Sequence, residues 1–144
     1  MASDDATSRR AERLENAAYH AAQSERQQAE ETRQATVLIA EFARAARTAG
    51  LATQPLEARP YNGGRAYRTD VDGWYLRRNR SVGVGTDGRF YVLLVPASLR
   101  SRLSRAHVEP ADPPMVVGKG GRDGESIDLP ELLRMRLDAG DDFG

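Results

Sequence analysis

The sequence predicts an α+β fold: a long N-terminal helix packed on a small antiparallel β-meander, then a short middle helix, a further β-hairpin and a C-terminal helix. Three observations carry this. From Ser8 to Ala49 the chain has no Pro or Gly and is rich in Ala, Arg, Glu and Gln, which favours helix. Trp74 to Val95 is the densest run of strand-forming residues and contains Asp87-Gly88, a hairpin signal between β-prone flanks. Asp128, Pro130 and Glu131 stand in the order of N-cap, first-turn proline and capping-box partner.

The first helix is justified in two halves. Residues 1–7 are small and polar and are expected to be disordered, with Thr7 or Ser8 capping the start. Gly50 is placed to end the helix. Ala35, Leu38, Ile39, Phe42, Ala43 and Ala46 make one apolar stripe at helical spacing, so Ile39 and Phe42 are expected to bury against the sheet. Earlier heptad positions read Ala11, Leu14, Ala18, Ala21, Glu25, Gln28 and Thr32. That seam is alanine followed by polar residues, a poor dimeric zipper. A continuous helix over this run reaches about 60 Å, against a radius of gyration near ~15 Å for a globule of this size. Its first half must project, pair or fray. The expected organisation is a helical extension over 1–34, a single α+β domain over 35–140 and an acidic tail over 141–144.

The meander follows a linker. Leu51 to Gly64 carries Pro55, Pro60 and Gly63-Gly64 and reads as the passage from helix to sheet. Asp72-Gly73 predicts a first hairpin, pairing Val71 with Trp74 and Thr69 with Leu76. Asp87-Gly88 as a two-residue turn pairs Gly85 with Phe90 and Gly83 with Val92. Val82, Val84, Tyr91, Leu93 and Val95 then share the opposite face. The glycine face reads as a shallow notch suited to a helix. A two-residue turn at Asn79-Arg80 adds Trp74 and Leu76 to that face, and a three-residue turn exchanges the faces.

Beyond the meander, Pro96 to Leu103 reads as a short helix and His107 to Glu109 as a brief strand. Met115–Val117 and Glu125–Ile127 form the further hairpin, with Gly118 to Gly124 as its loop. Leu129, Leu132, Leu133 and Leu137 form the buried side of the last helix, and Gly140 stops it.

Composition bounds the function. The chain has 144 residues, 40% of them apolar and 6% aromatic, enough for one domain with a modest core. It carries 21 basic and 21 acidic residues and no net charge. Residues 61–107 hold nine arginines against three aspartates, and residues 108–144 hold four basic against nine acidic residues. This asymmetry suits contacts within the chain or between subunits. Cysteine is absent, which excludes disulfides, thiolate catalysis and Cys-ligated metal. No apolar signal core opens the chain, and no apolar run approaches the ~20 residues of a membrane helix. The expected setting is the cytoplasm. Lys119 is the sole lysine, which with many Ala and Gly points to a GC-rich bacterial genome.

No cluster of residues amounts to an active site, and no cofactor is expected. Gly118-Lys119-Gly120-Gly121 lacks the Ser or Thr and the following helix of a phosphate loop. His20 and His107 stand at no metal-ligand spacing. Ser98, Ser101 and Ser104 lie near His107 without a nucleophile elbow. Asp70/Asp72 brackets a turn and Asp123/Glu125 flanks a loop, where acids serve local hydrogen bonding.

The surface feature with chemical content is arginine. Arg77, Arg78 and Arg80 cluster beside Tyr75; Arg65, Arg68 and Arg89 are expected to join them on adjacent strands, and Arg100, Arg102 and Arg105 follow. Arginine with an aromatic neighbour on a sheet can hold single-stranded nucleic acid; it can also dock the acidic C-terminal segment. The leading expectation is a non-catalytic protein-binding or adaptor module that forms a homodimer or engages a protein partner. Arg-mediated binding of single-stranded nucleic acid is the alternative. No motif ties the chain to a known family.

Overall fold

A computed structural model describes residues 2–61, 63–96, 107–118 and 125–143. In chain order it gives α1 (Ala2–Thr48), β1 (Gln54–Pro60), β2 (Tyr67–Tyr75), β3 (Val82–Gly85), β4 (Phe90–Val92), β5 (Leu94–Val95), β6 (Val116–Val117), β7 (Ile127–Asp128) and α2 (Leu129–Ala139). The α+β architecture matches the sequence reading. The expected middle helix and the Gly118–Gly124 loop beyond its first residue lie outside the described residues.

Helix α1 starts earlier than expected. It includes the polar N-terminal residues, with Asp4 and Asp5 in its first turn, where carboxylates complement the helix dipole. It ends before Gly50, whose φ is +71°. The first buried residue is Ala35; Ile39, Phe42, Ala43 and Ala46 follow at helical spacing. Phe42 meets Trp74 edge to face, with ring centroids 6.0 Å apart.

The supposed linker contains a strand. In β1, Leu56, Ala58 and Pro60 are buried and alternate with exposed Glu57 and Arg59. Pro55 and Pro60 sit at its ends, where a missing N–H costs least. It pairs antiparallel with β2, joining Gln54 to Gly73 and Ala58 to Tyr67. The register shifts between Pro55 and Glu57, so Leu56 faces the three residues Thr69 to Val71. Thr69 Oγ1 accepts the Val71 N–H within that bulge.

The hairpin expected at Asp72-Gly73 is absent. Strand β2 runs straight through it, and Gly73 sits opposite Gly85 of β3. A Cβ on Gly73 would stand 2.0 Å from the Val84 carbonyl oxygen. Glycine is there for close backbone approach and not for a turn.

Both remaining turns are longer than two residues, and this reassigns the faces. Strands β3 and β4 pair Val82 with Val92, Gly83 with Tyr91 and Val84 with Phe90. The loop is Thr86-Asp87-Gly88, with Gly88 at φ +80°, the three-residue hairpin that closes on a left-handed glycine. Asp87 Oδ1 accepts the Arg89 N–H at 3.0 Å, and Tyr91 OH donates to Asp87 Oδ2 at 2.6 Å. Between β2 and β3, Leu76 N–H donates to Val82 O, and Trp74 pairs with Val84. Trp74, Leu76, Val82, Val84 and Phe90 therefore share one face. It is this face, and not the glycine face, that receives α1 and α2.

The sheet order is β4-β3-β2-β1-β5. Strands β4 and β5 are consecutive pieces of one bent segment, yet they occupy opposite ends of that order. Strand β5 pairs in parallel with β1, Arg59 with Leu94 and Pro60 with Val95. At the bend, Leu93 N–H donates to Ser81 O, while Leu93 O accepts the Arg59 N–H. This one bent segment thus bonds both ends of the sheet and curls it into a ring. Inside the ring lie Leu56, Ala58, Tyr75, Tyr91 and Leu93 with Val108 beside them. The structure departs here from an all-antiparallel meander. His107 to Glu109 forms no strand.

The further hairpin forms, joining Val116 to Asp128 and Val117 to Ile127. Helix α2 starts at the expected place. Asp128 has extended N-cap dihedrals but makes no side-chain cap bond. Glu131 pairs with Arg134, so the capping box is not made.

Candidate functional site

Helix α2 buries Leu129, Leu132 and Leu133 against the outer face of the sheet. Arg136 lies four residues after Leu132 and three after Leu133, so helical geometry sends it to the same face. It is only 5% exposed. Its Nε donates to the Tyr75 carbonyl at 2.7 Å and its Nη1 to the Gly140 carbonyl at 2.7 Å. Its guanidinium carbon stands 4.1 Å from the centroid of the Phe143 ring. Among the described residues no carboxylate lies within ion-pair distance of it. Burial pulls its pKa down, and the charge of Asp141 works the other way. The guanidinium stays charged regardless. Carbonyl groups near the C-terminus of α2 supply part of the compensation.

Two further arginines reach the same place from the β2–β3 connection. Arg77 Nη2 donates to the Glu125 carbonyl at 2.9 Å. Its Nη1 is buried and has no hydrogen-bond partner among the described residues. Arg78 lines the same cleft, 5.9 Å from the Phe143 centroid. Together with Leu76, Leu132 and Met135 these groups line a cleft of about 330 Å³. The acidic C-terminal segment does come to this region, but through the Phe143 ring and not through aspartates. Asp141 turns away and accepts the Ala52 N–H at 2.8 Å.

The other arginines singled out in the sequence are dispersed. Arg80, at φ +60°, lies 5.2 Å from the Tyr75 ring centroid. Arg68 sits on β2 opposite Glu57, exposed. Arg89 stands at the β3–β4 loop, where Thr36 and Ile39 of α1 line the same depression. Arg65 is exposed, and Arg100, Arg102 and Arg105 lie outside the described residues. Tyr75 is 2% exposed. Its hydroxyl accepts the Glu57 N–H at 2.9 Å, and burial raises its pKa. The structure brings Arg77 and Arg78 together, sets Arg80 against Tyr75, and leaves Arg68 and Arg89 apart.

Sequence reasoning passed over Arg136. The signal was available, since an arginine at i+4 from Leu132 on the apolar stripe of α2 must be buried or bend the stripe.

His107 is the second polar cluster. Its Nδ1 lies 2.8 Å from Asp70 and its Nε2 2.7 Å from Glu109. The Asp70 hydrogen bond, then that of Glu109, raises the His107 pKa, and the same contact lowers that of Asp70. Asp70 is available because it sits in the β2 bulge. The cluster fixes the segment that places Val108 at the ring interior. Among the described residues no group of three or more His, Asp or Glu is placed to hold a metal ion.

The N-terminal half of α1 is the largest open feature. From Asp4 to Gln34 every residue is exposed except the half-buried Ala22 and Thr32. Leu14 is 66% exposed and Tyr19 is 60%. No helix among the described residues is long and apolar enough to cross a membrane. Comparison with protein-family models, curated proteins and solved structures found no match for this chain.

Proposed function

We propose that this chain is a non-catalytic protein-binding or adaptor module of the bacterial cytoplasm, and that it self-associates through the N-terminal half of α1. One observation carries the reading. Helix α1 runs over 47 residues, yet its burial begins only at Ala35. A helix of that length spans about 70 Å. Solvated helix is marginal without tertiary packing, so the open half calls for a partner.

The proposed partner is a second copy of this chain, paired through close approach of small residues and not through a strong zipper. Ala11, Leu14, Ala18 and Ala21 share one side, and small residues let two helices approach at the short end of the ~8–10 Å interaxial range. Between Asp4 and Gln34 stand five arginines and seven acids. Mixed signs leave little repulsion between copies and disfavour a polyanion. Light scattering on the full chain at micromolar concentration is the test. The expected mass is twice 15.8 kDa, and Ala18→Glu is expected to return it to the monomer value. A wild-type monomer contradicts the reading, and a dimer that survives Ala18→Glu moves the interface elsewhere.

The second reading is Arg-mediated binding of single-stranded nucleic acid. It rests on Arg77 and Arg78 standing together on one rim. The buried Tyr75 ring and the separation of Arg68 and Arg89 count against it.

A further inference from the structure

We propose that the cleft between the β2–β3 loop and α2 binds a small organic carboxylate that carries an apolar group. The inference does not depend on self-association.

The polar end of the cleft has one buried guanidinium donor without an acceptor among the described residues, Arg77 Nη1. Arg136 is buried, and its two hydrogen bonds, from Nε and Nη1, both go to neutral carbonyls. Buried polar groups are nearly always satisfied, and an orphaned donor calls for a missing acceptor. Guanidinium groups are planar forks that match a carboxylate in two-bond geometry.

The charge at the cleft is positive. Arg77, Arg78 and Arg136 bring three positive charges. Glu125 lines the same cleft, and Asp141 acts on Arg136. The arginines outnumber the acids at the cleft, which suits an anionic group.

The other walls set the rest of the ligand. Leu76, Leu132, Met135 and Phe143 are apolar. Met135 is 49% exposed at the rim, and methionine adapts to irregular apolar groups. The volume of about 330 Å³ falls at the lower end of the ~300–1,000 Å³ typical of small-molecule sites.

The test titrates 4-phenylbutyrate into the full chain and follows the Met135 methyl and Phe143 ring signals by NMR. Two comparison probes are 4-phenylbutan-1-ol, which lacks the charge, and inorganic phosphate, which lacks the apolar body. The expected result is a saturable shift with 4-phenylbutyrate and binding at least about tenfold weaker for both comparison probes. Arg77→Gln and Met135→Glu are each expected to weaken 4-phenylbutyrate about tenfold or more. Met135 is exposed, so its variant reports on the cleft even if Arg77→Gln fails to fold. No saturable shift, equal binding of the alcohol or of phosphate, or undiminished binding in a folded variant overturns the proposal.

Discussion

Phe42 and Trp74 are the residues on which α1 and the sheet meet. Both are buried, and their rings touch edge to face. Phe42→Ala removes most of that contact and is expected to cost about 3–5 kcal/mol in urea unfolding. A cost below about 0.5 kcal/mol is what a surface site gives, and it would mean that α1 does not dock there. Trp74 also donates from Nε1 to the Leu51 carbonyl at 3.2 Å, so the same ring pins the exit of the helix. His107 gives the residue-scale prediction in pH. Its folded pKa is raised above the ordinary value of 6.5, so protonation favours the folded state. That contribution is complete below about 6.5 and is lost as pH rises through the raised folded value. His107→Gln is expected to flatten this part of the melting-temperature profile. An unchanged profile would show that the Asp70 and Glu109 contacts do not persist in solution. At this scale the sequence was readable where chemistry has one meaning and ambiguous where it has two. The Phe42 stripe has one reading. Asp72-Gly73 has two, a turn or a close approach, and only the Val84 carbonyl beneath Gly73 decides between them.

At the scale of elements, α1 and α2 were legible because helical periodicity survives in a single segment. The strands were harder, since their faces depend on loop lengths that propensity does not set. One extra residue in the Thr86–Gly88 loop moved Tyr91 to the glycine side and Phe90 to the helix side. Strand β1 was hidden by its prolines, although the alternation of Leu56, Ala58 and Pro60 was there to be counted. Its role is testable. Leu56 is fully buried inside the ring, and Leu56→Ala is expected to cost about 2–5 kcal/mol. A linker residue would cost almost nothing on replacement. The pairing of β5 with β1 could not be read locally, because it joins residues that meet only when the sheet curls. Arg136 was missed for a different reason. Its charge marks it as a surface residue, while its position on the α2 stripe marks it as a core residue. Position prevailed, and two carbonyls plus the Phe143 ring offset the cost of burying the charge.

On the scale of the whole molecule, charge and shape separate the two functional readings. If the arginines serve a polyanion, binding of a single-stranded oligonucleotide must weaken by roughly 0.7 log units per log unit of salt for each phosphate neutralised. The adaptor reading expects no oligonucleotide binding at physiological salt, measured by fluorescence anisotropy. Clear salt-dependent binding that disappears when Arg77, Arg78 and Arg80 are all changed to Ala would replace it with the nucleic-acid reading. The central claim concerns the open half of α1, and the absence of cysteine makes it directly measurable. A single Asn16→Cys substitution places a spin label on an exposed part of that helix. Dipolar spectroscopy on the full chain then reports only distances between copies. Self-association through α1 predicts a defined inter-label distance at micromolar concentration, abolished by Ala18→Glu. A chain with no dipolar signal at that concentration, or one whose distance is unchanged by Ala18→Glu, contradicts the account.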